Sequence, residues 1–117
     1  MSGAATQLDL AFDPPPQNQR PPRVKGATIA AQFASFHALN PHVYVAIVSL
    51  ARELKRQGWT RAGMKQIFEQ LRWRFSVATR GDQWRMNNNY TAHYARLVMS
   101  REPDLEGFFE TRERQTA

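Results

Sequence analysis

Residues 58–86 read GWTRAGMKQIFEQLRWRFSVATRGDQWRM, and two periodicities follow one another within them. In the first half, apolar residues recur at spacings of three and four, which is the period of an amphipathic helix. The residues that set this period are Met64, Ile67, Phe68 and Leu71. In residues 73–77 and 83–86 the apolar residues alternate with polar or small ones, which is typical of strands. The stretch therefore predicts a helix at residues 61–72 followed by a β-hairpin.

The residues at the two turns support this prediction. Thr60 is suited to cap the helix, because its hydroxyl oxygen accepts a hydrogen bond from a first-turn N–H. Gly81, next to Arg80, adopts positive φ at a hairpin turn without steric cost. Two strands alone are marginally stable, so we expect the aromatic face of the hairpin to pack on the helices.

The chain before residue 58 predicts two helices, at residues 27–39 and 41–57, and one apolar stripe of the second consists of Val43, Ile47, Leu50 and Leu54. Between them Asn40 offers an N-cap side chain, and Pro41 is suited to the first helical turn. After the hairpin, three asparagines precede a helix predicted at residues 90–100.

A last helix is predicted at residues 103–114, where Pro103 opens the first turn and Leu105, Phe108 and Phe109 are the expected anchors. The sequence thus predicts a fold that is mainly α with one β-hairpin (α+β). Its elements are ordered helix, helix, helix, hairpin, helix, helix.

Length and composition predict one domain. With 117 residues, of which 42% are apolar, the chain closes a single core, which we assign to residues 27–114. Residues 1–26 contain five prolines and no periodicity, so they predict a flexible proline-rich arm. Residues 115–117 predict a frayed C-terminus.

The chain lacks the residues that several classes of function require. The absence of cysteine excludes disulfides, thiolate catalysis and zinc sites that contain cysteine. The three histidines lie on separate predicted elements, and they are His37, His42 and His93. None has a partner at metal-ligand spacing, and the few acids of the middle of the chain form no recognisable catalytic set. We therefore expect no catalytic residue, no metal and no cofactor, and we do not expect an enzyme.

The longest apolar run, at residues 43–48, is too short to span a bilayer. Residues 1–10 lack the basic start and apolar stretch of a secretion signal. We therefore expect a cytoplasmic protein with no membrane partner.

Charge is concentrated in the middle of the chain. Residues 20–101 hold fourteen Lys or Arg against three acids, whereas residues 1–19 carry −2 and residues 102–117 carry −3. A polyanion partner suits such a distribution, because each phosphate neutralised by Lys or Arg releases condensed counterions. A solvated basic surface without a specific partner is the alternative.

The helix predicted at residues 61–72 carries hydrogen-bonding side chains opposite its apolar stripe. A B-DNA major groove is about 12 Å wide and admits one helix, whose exposed side chains meet base edges. The candidate DNA contacts on this helix are Arg61, Lys65, Gln66 and Gln70. The candidate phosphate contacts at the helix end and on the hairpin are Arg72, Arg74, Arg80 and Arg85.

Over residues 41–87, the order of two helices joined by Gly-Trp-Thr and followed by a hairpin resembles winged helix-turn-helix domains. In that family the helix before the hairpin lies in the major groove, and the hairpin, or wing, touches the backbone or minor groove. The resemblance implies double-stranded DNA as partner, residues 61–72 as recognition helix and residues 79–82 as wing tip. Two helices after the wing depart from the usual pattern, and they either form a homodimer surface or cover the DNA-binding face.

A wider set of motifs looks like small bacteriophage and prophage proteins without an assigned activity. These motifs are Asn40-Pro41, residues 84–89, Tyr94-Ala95-Arg96, and Pro103 with Phe109 and Arg112. This resemblance implies a phage-related transcriptional regulator or accessory factor in the cytoplasm of a bacterial or phage-infected cell. The alternative is a non-enzymatic phage protein that binds and inhibits a host protein, for example a nucleic-acid-dependent defence complex, as anti-CRISPR proteins do.

The tryptophans raise one further alternative, because bases of single-stranded nucleic acid stack on exposed aromatic rings. Trp73 and Trp84 share the apolar face of the predicted hairpin, which favours packing in the core instead.

Overall fold

A computed structural model describes residues 18–79 and 87–110, and within them the chain forms four α-helices and a two-stranded parallel sheet. The helices are α1 (Ile29–Leu39), α2 (Pro41–Arg56), α3 (Met64–Thr79) and α4 (Thr91–Arg101). The strands are β1 (Ala62–Gly63) and β2 (Phe109–Glu110), and short 3-10 helices lie at Asn88–Tyr90 and Pro103–Leu105. The predicted class, mainly α with a small β component, is confirmed, but the β component within these residues is a parallel pair.

The core lies where α2, α3 and α4 meet, and each helix contributes one apolar stripe. The buried residues are Val43, Ile47, Leu50 and Leu54 on α2, Met64, Ile67, Phe68, Leu71 and Phe75 on α3, and Tyr94 and Val98 on α4. Burial of each large apolar side chain contributes about 1.5–3 kcal/mol. The stripes predicted for the first two of these helices are therefore the ones that hold the fold together.

The helix predicted at residues 61–72 has the wrong bounds, because α3 continues to Thr79. Phe75 lies four residues after Leu71, so it extends the buried helical stripe, and it is only 1% exposed. The alternation in residues 73–77 involves three apolar residues and is too short to override this stripe. The predicted first strand of the hairpin is therefore helical.

The start of α3 also differs from the prediction, because residues 62 and 63 form β1 instead. In the parallel pair, Ala62 lies opposite Phe109, and the Ala62 N–H donates to the Phe108 carbonyl oxygen at 2.9 Å. The connection between α2 and α3 is therefore residues 57–63 and not the predicted three-residue Gly-Trp-Thr turn. Thr60 precedes β1 and does not cap the helix.

The last predicted helix, at residues 103–114, is replaced in its described part by a 3-10 helix, a turn and β2. Gly107 adopts a φ of +76°, a conformation that glycine reaches at little cost and that ends the helical path. The expected anchors Leu105, Phe108 and Phe109 are buried. They pack on the core from the 3-10 helix, the turn and β2, however, and not from an α-helix.

Asn40 connects the helices to the chain that precedes them. It is fully buried, and its side chain makes no capping hydrogen bond to α2, contrary to the prediction. The Asn40 carboxamide accepts from the Gln19 N–H at 2.7 Å and donates to the carbonyl oxygens of Gln19 at 2.8 Å and Phe36 at 2.9 Å. Asn18, in the same segment, hydrogen-bonds to His42 at 2.6 Å. Residues 18 and 19 are thus held against α1 and α2.

Aromatic rings pack α1 against α2 and α4. Phe33 stacks on His37 and on His93, with centroid distances of 5.9 and 5.2 Å, and meets Tyr94 edge-on at 4.7 Å. The Tyr44 ring of α2 lies 5.6 Å from the His37 ring, and Arg101 of α4 is close enough to act on the charge of His37. Burial, with a smaller contribution from Arg101, lowers the pKa of His37 below its usual value.

Several predicted features lie outside the described residues. They are the first seventeen residues of the arm, the hairpin turn and second strand with Arg80, Trp84 and Arg85, and residues 111–117. Among the helices of the described residues, none has the length and apolar character that a bilayer span requires.

Replacing Asn40 by Ala removes three hydrogen bonds from a buried position. We expect Asn40→Ala to lower the free energy of unfolding by about 2–3 kcal/mol in urea titrations, and to expose the Gln19 amide to hydrogen exchange. Gln32→Ala is the matched control, because it removes a single, partly buried hydrogen bond to Ala27. A loss for Asn40→Ala no larger than that of the control would contradict this role.

The lowered pKa of His37 predicts acid sensitivity. Below the usual pKa of 6.5 the unfolded chain binds a proton that the folded chain resists, so stability is full above 6.5 and falls as the pH drops. His42, whose pKa burial also lowers, contributes in the same direction. We expect His37→Phe to reduce the loss of unfolding free energy between about pH 8 and about pH 5. An unchanged loss in the variant would show that His37 does not carry the effect.

Candidate nucleic-acid interface

Among residues 64–75 of α3, five side chains point away from the core, and we call them the outward face. They are Lys65, Gln66, Glu69, Gln70 and Trp73. Successive residues of an α-helix are about 100° apart, so the buried stripe fixes which positions point outward. Gln70 is half-buried and the other four are exposed. The described part of the chain therefore leaves this face open to solvent.

The three predicted base-contacting residues lie together on this face. Lys65 and Gln66 are adjacent and exposed at the start of α3, and Gln70 follows one turn after Gln66. They span about 7.5 Å along the helix axis, or little more than two base-pair steps of DNA. Both kinds of side chain make hydrogen bonds with purine edges, Lys as donor and Gln as donor and acceptor.

The described arginines of the predicted set do not form one continuous stripe. Arg72 and Arg74 are two residues apart on α3, which places them about 160° apart around the helix axis. They therefore border the outward face on opposite sides, and both are half-buried. Arg61 is exposed just before β1. Arg80 and Arg85 lie outside the described residues.

One acidic residue belongs to the outward face. The Glu69 carboxylate lies 3.4 Å from the Arg72 guanidinium, which also donates to the side chain of Asn88. Arg72 is thus oriented along its flank of α3, between Glu69 on its own helix and the 3-10 helix that precedes α4. An exposed pair of this kind contributes at most about 1 kcal/mol to stability.

The sequence-based prediction is wrong for one residue of the outward face, Trp73. The predicted strand placed it in the core, but on α3 it points outward and is 69% exposed. It lies four residues after Glu69 and seven after Gln66, at the C-terminal end of the outward face. The position of Phe75 was the available signal, because a helix extended to bury Phe75 turns Trp73 toward solvent.

Two acids of the described C-terminal residues, 102–110, lie against α2 and not against the outward face. Arg52 of α2 pairs with Glu102 at 2.7 Å and with Asp104 at 2.9 Å. Lys55 donates to the Asp104 carbonyl oxygen. The Tyr44 hydroxyl donates to Glu102 at 2.7 Å, and burial together with this bond raises the pKa of Tyr44 to about 12. These contacts neutralise cations of α2, whereas Lys65 at the start of α3 is exposed.

The histidines do not form a site with one another. His37 and His93 each stack on Phe33, and His42 bonds to Asn18. Within residues 18–79 and 87–110, no group of three or more metal-ligating side chains converges.

Comparison of the chain with protein-family models, with curated proteins and with solved structures found no match.

Trp73 and Phe75 together distinguish the helix from the predicted strand, on which both would face the core. We expect Phe75→Ala to lower the free energy of unfolding by about 3–5 kcal/mol, because it leaves a cavity. Trp73→Ala, at an exposed helical position, is expected to change it by less than about 1 kcal/mol. Urea titrations measure both values, and similar large losses for the two variants would contradict the helical assignment.

Proposed function

We propose that the protein binds double-stranded DNA, with the outward face of α3 in the major groove. The observation that carries this proposal is the arrangement of α3 itself. Hydrogen-bonding side chains occupy its solvent face, and one arginine borders that face on each side. A helix in the major groove runs between two phosphate backbones, so cations on both flanks match the two strands.

In this arrangement the residues have separate roles. Lys65, Gln66 and Gln70 contact base edges, whereas Arg72 and Arg74 contact phosphates and fix the register of the helix. Glu69 is the one acid on the face, and its charge opposes phosphate. Its pairing with Arg72 reduces that cost and keeps non-specific binding weaker than an all-basic face would give.

The predicted wing does not support this proposal, because its predicted first strand is the second half of α3. Arg61 remains a proposed DNA contact, and Arg80 and Arg85 remain proposed phosphate contacts. The protein acts by occupying DNA and not by catalysis. A phage-related regulator or accessory factor in the cytoplasm is the setting that the sequence resemblance favours.

Selection of duplexes from a random library, followed by binding titrations in increasing salt, tests these roles. Lys65→Ala combined with Gln66→Ala is expected to change the selected sequence, since each base contact contributes about 1–3 kcal/mol of discrimination. Arg72→Ala combined with Arg74→Ala is expected to weaken binding to all duplexes and reduce the salt slope by about 1.8, or about 0.9 for each phosphate contact.

Arg96→Ala is the control, because Arg96 is an exposed arginine on α4, away from the proposed contacts. It is expected to leave sequence preference unchanged. If the Lys65 and Gln66 variant selects the same sequences as the wild type, α3 does not read the bases.

The exposure of Trp73 favours a second candidate function, which is inhibition of a host protein. Tryptophan is enriched among the residues that dominate protein–protein binding energy. Retention on duplex DNA separates the two candidates, because non-specific affinity at about 150 mM salt is commonly micromolar or weaker and specific affinity is far tighter. Inhibition of a host protein would be favoured by two results together. The protein would flow through on every selected duplex, and it would bind a purified host protein in a way that Trp73→Ala abolishes.

A further inference from the structure

We infer that Trp73 stacks on an unpaired base, so that the preferred ligand of α3 is a DNA duplex interrupted by a gap and not an intact duplex. This inference rests on the DNA-binding function proposed above and specifies the form of DNA that the outward face takes.

The position of Trp73 on α3 allows the stacking contact of its indole to form together with the polar base contacts of Gln66. It follows Gln66 by seven residues, which is two helical turns, so the two side chains point in nearly the same direction about 10.5 Å apart. Base pairs of DNA are about 3.4 Å apart along the duplex axis. With Gln66 at one base pair, the indole reaches the groove about three base steps away. Polar base contacts and the indole thus fall on different bases of one site.

The chemistry of the indole determines which form of DNA it contacts more favourably. In an intact duplex the faces of the bases are covered by their neighbours, and the major groove presents mainly polar edges. An indole has a single N–H donor and a large aromatic surface, so it satisfies few of those edges. A base opposite a gap, by contrast, has no pairing partner, so it leaves the stack at a lower cost and then offers an aromatic face on which tryptophan stacks.

The surroundings of Trp73 suit an anionic ligand. Its neighbours on the outward face are Gln66, Glu69 and Gln70, and Arg72 and Arg74 adjoin it in sequence on either flank. The other large apolar side chains exposed in residues 18–75 and 87–110 lie on other elements, and they are Val24, Ile29, Leu39, Val45 and Trp59. Within these residues, the exposed indole of Trp73 lies on a helix side with polar and cationic neighbours, as at sites that stack bases.

The test compares two labelled DNAs by fluorescence anisotropy at about 150 mM salt. One is an intact duplex, and the other is the same duplex with a one-nucleotide gap in one strand. For the wild type we expect at least about fivefold tighter binding to the gapped duplex, the lower limit for stacking on one base. Trp73→Ala is expected to abolish the difference, and Trp73→Phe to retain part of it. Trp59→Phe is the control, because Trp59 lies in the connection before β1, and it is expected to keep the preference.

The outcomes separate this inference from the proposed function. Equal binding of the wild type to both DNAs would overturn the stacking role of Trp73 and leave duplex binding standing. A preference for the gapped duplex that persists in Trp73→Ala would also overturn it, because the preference would then arise elsewhere. Binding of the folded wild type to neither DNA would overturn both.

Discussion

The packing of the apolar stripe of α3 between α2 and α4 is the constraint on which the other features depend. Its five members, from Met64 to Phe75, are each at most 3% exposed, so they fix both the length of the helix and its rotation about its axis. Rotation of the stripe by one residue, about 100°, would bury charged side chains at high cost. The outward face is the direct complement of this stripe. Any function of that face is therefore encoded in the core residues as much as in the polar ones.

Polar contacts between distant parts of the chain complete the fold. Asn40 holds residue 19 against the junction of α1 and α2, and the acids at 102 and 104 lie against the cations of α2. The second set of contacts also shapes the electrostatics, because it neutralises Arg52 within the protein. In the described residues, Lys65 of α3 and the exposed Arg61 and Arg96 are cations outside this set of contacts.

Local patterns predicted the helices well wherever a stripe of several turns was available. The stripes of α2 and α3, the start of α2 at Pro41 and the burial of Leu105 all followed from periodicity and residue type. The first error came from a conflict between two periods at residues 73–77, where a single residue, Phe75, decides for the helix. Reading Trp73 as a core residue followed from that error.

Other features had no local signal. The pairing of β1 with β2 joins segments 47 residues apart, as Ala62 and Phe109 show, and each strand has only two residues. The partner of Asn40 lies 21 residues earlier in the chain, so the amide looked like a helix cap. The sequence did not indicate that Arg72 and Arg74 lie on opposite flanks of one helix, because the predicted helix ended at residue 72. The candidate polar residues of α3 were therefore identified from sequence, but their arrangement was not.

The most direct test of the outward face as the binding surface is an NMR titration of the isotope-labelled protein with a short DNA duplex. We expect the largest shifts in backbone amide resonances at positions 65, 66, 69, 70 and 73, on one side of α3. Small shifts are expected on the solvent side of α4, at positions 93, 96 and 100. Shifts centred on α4 or on the acidic segment after it, with α3 unperturbed, would contradict the account.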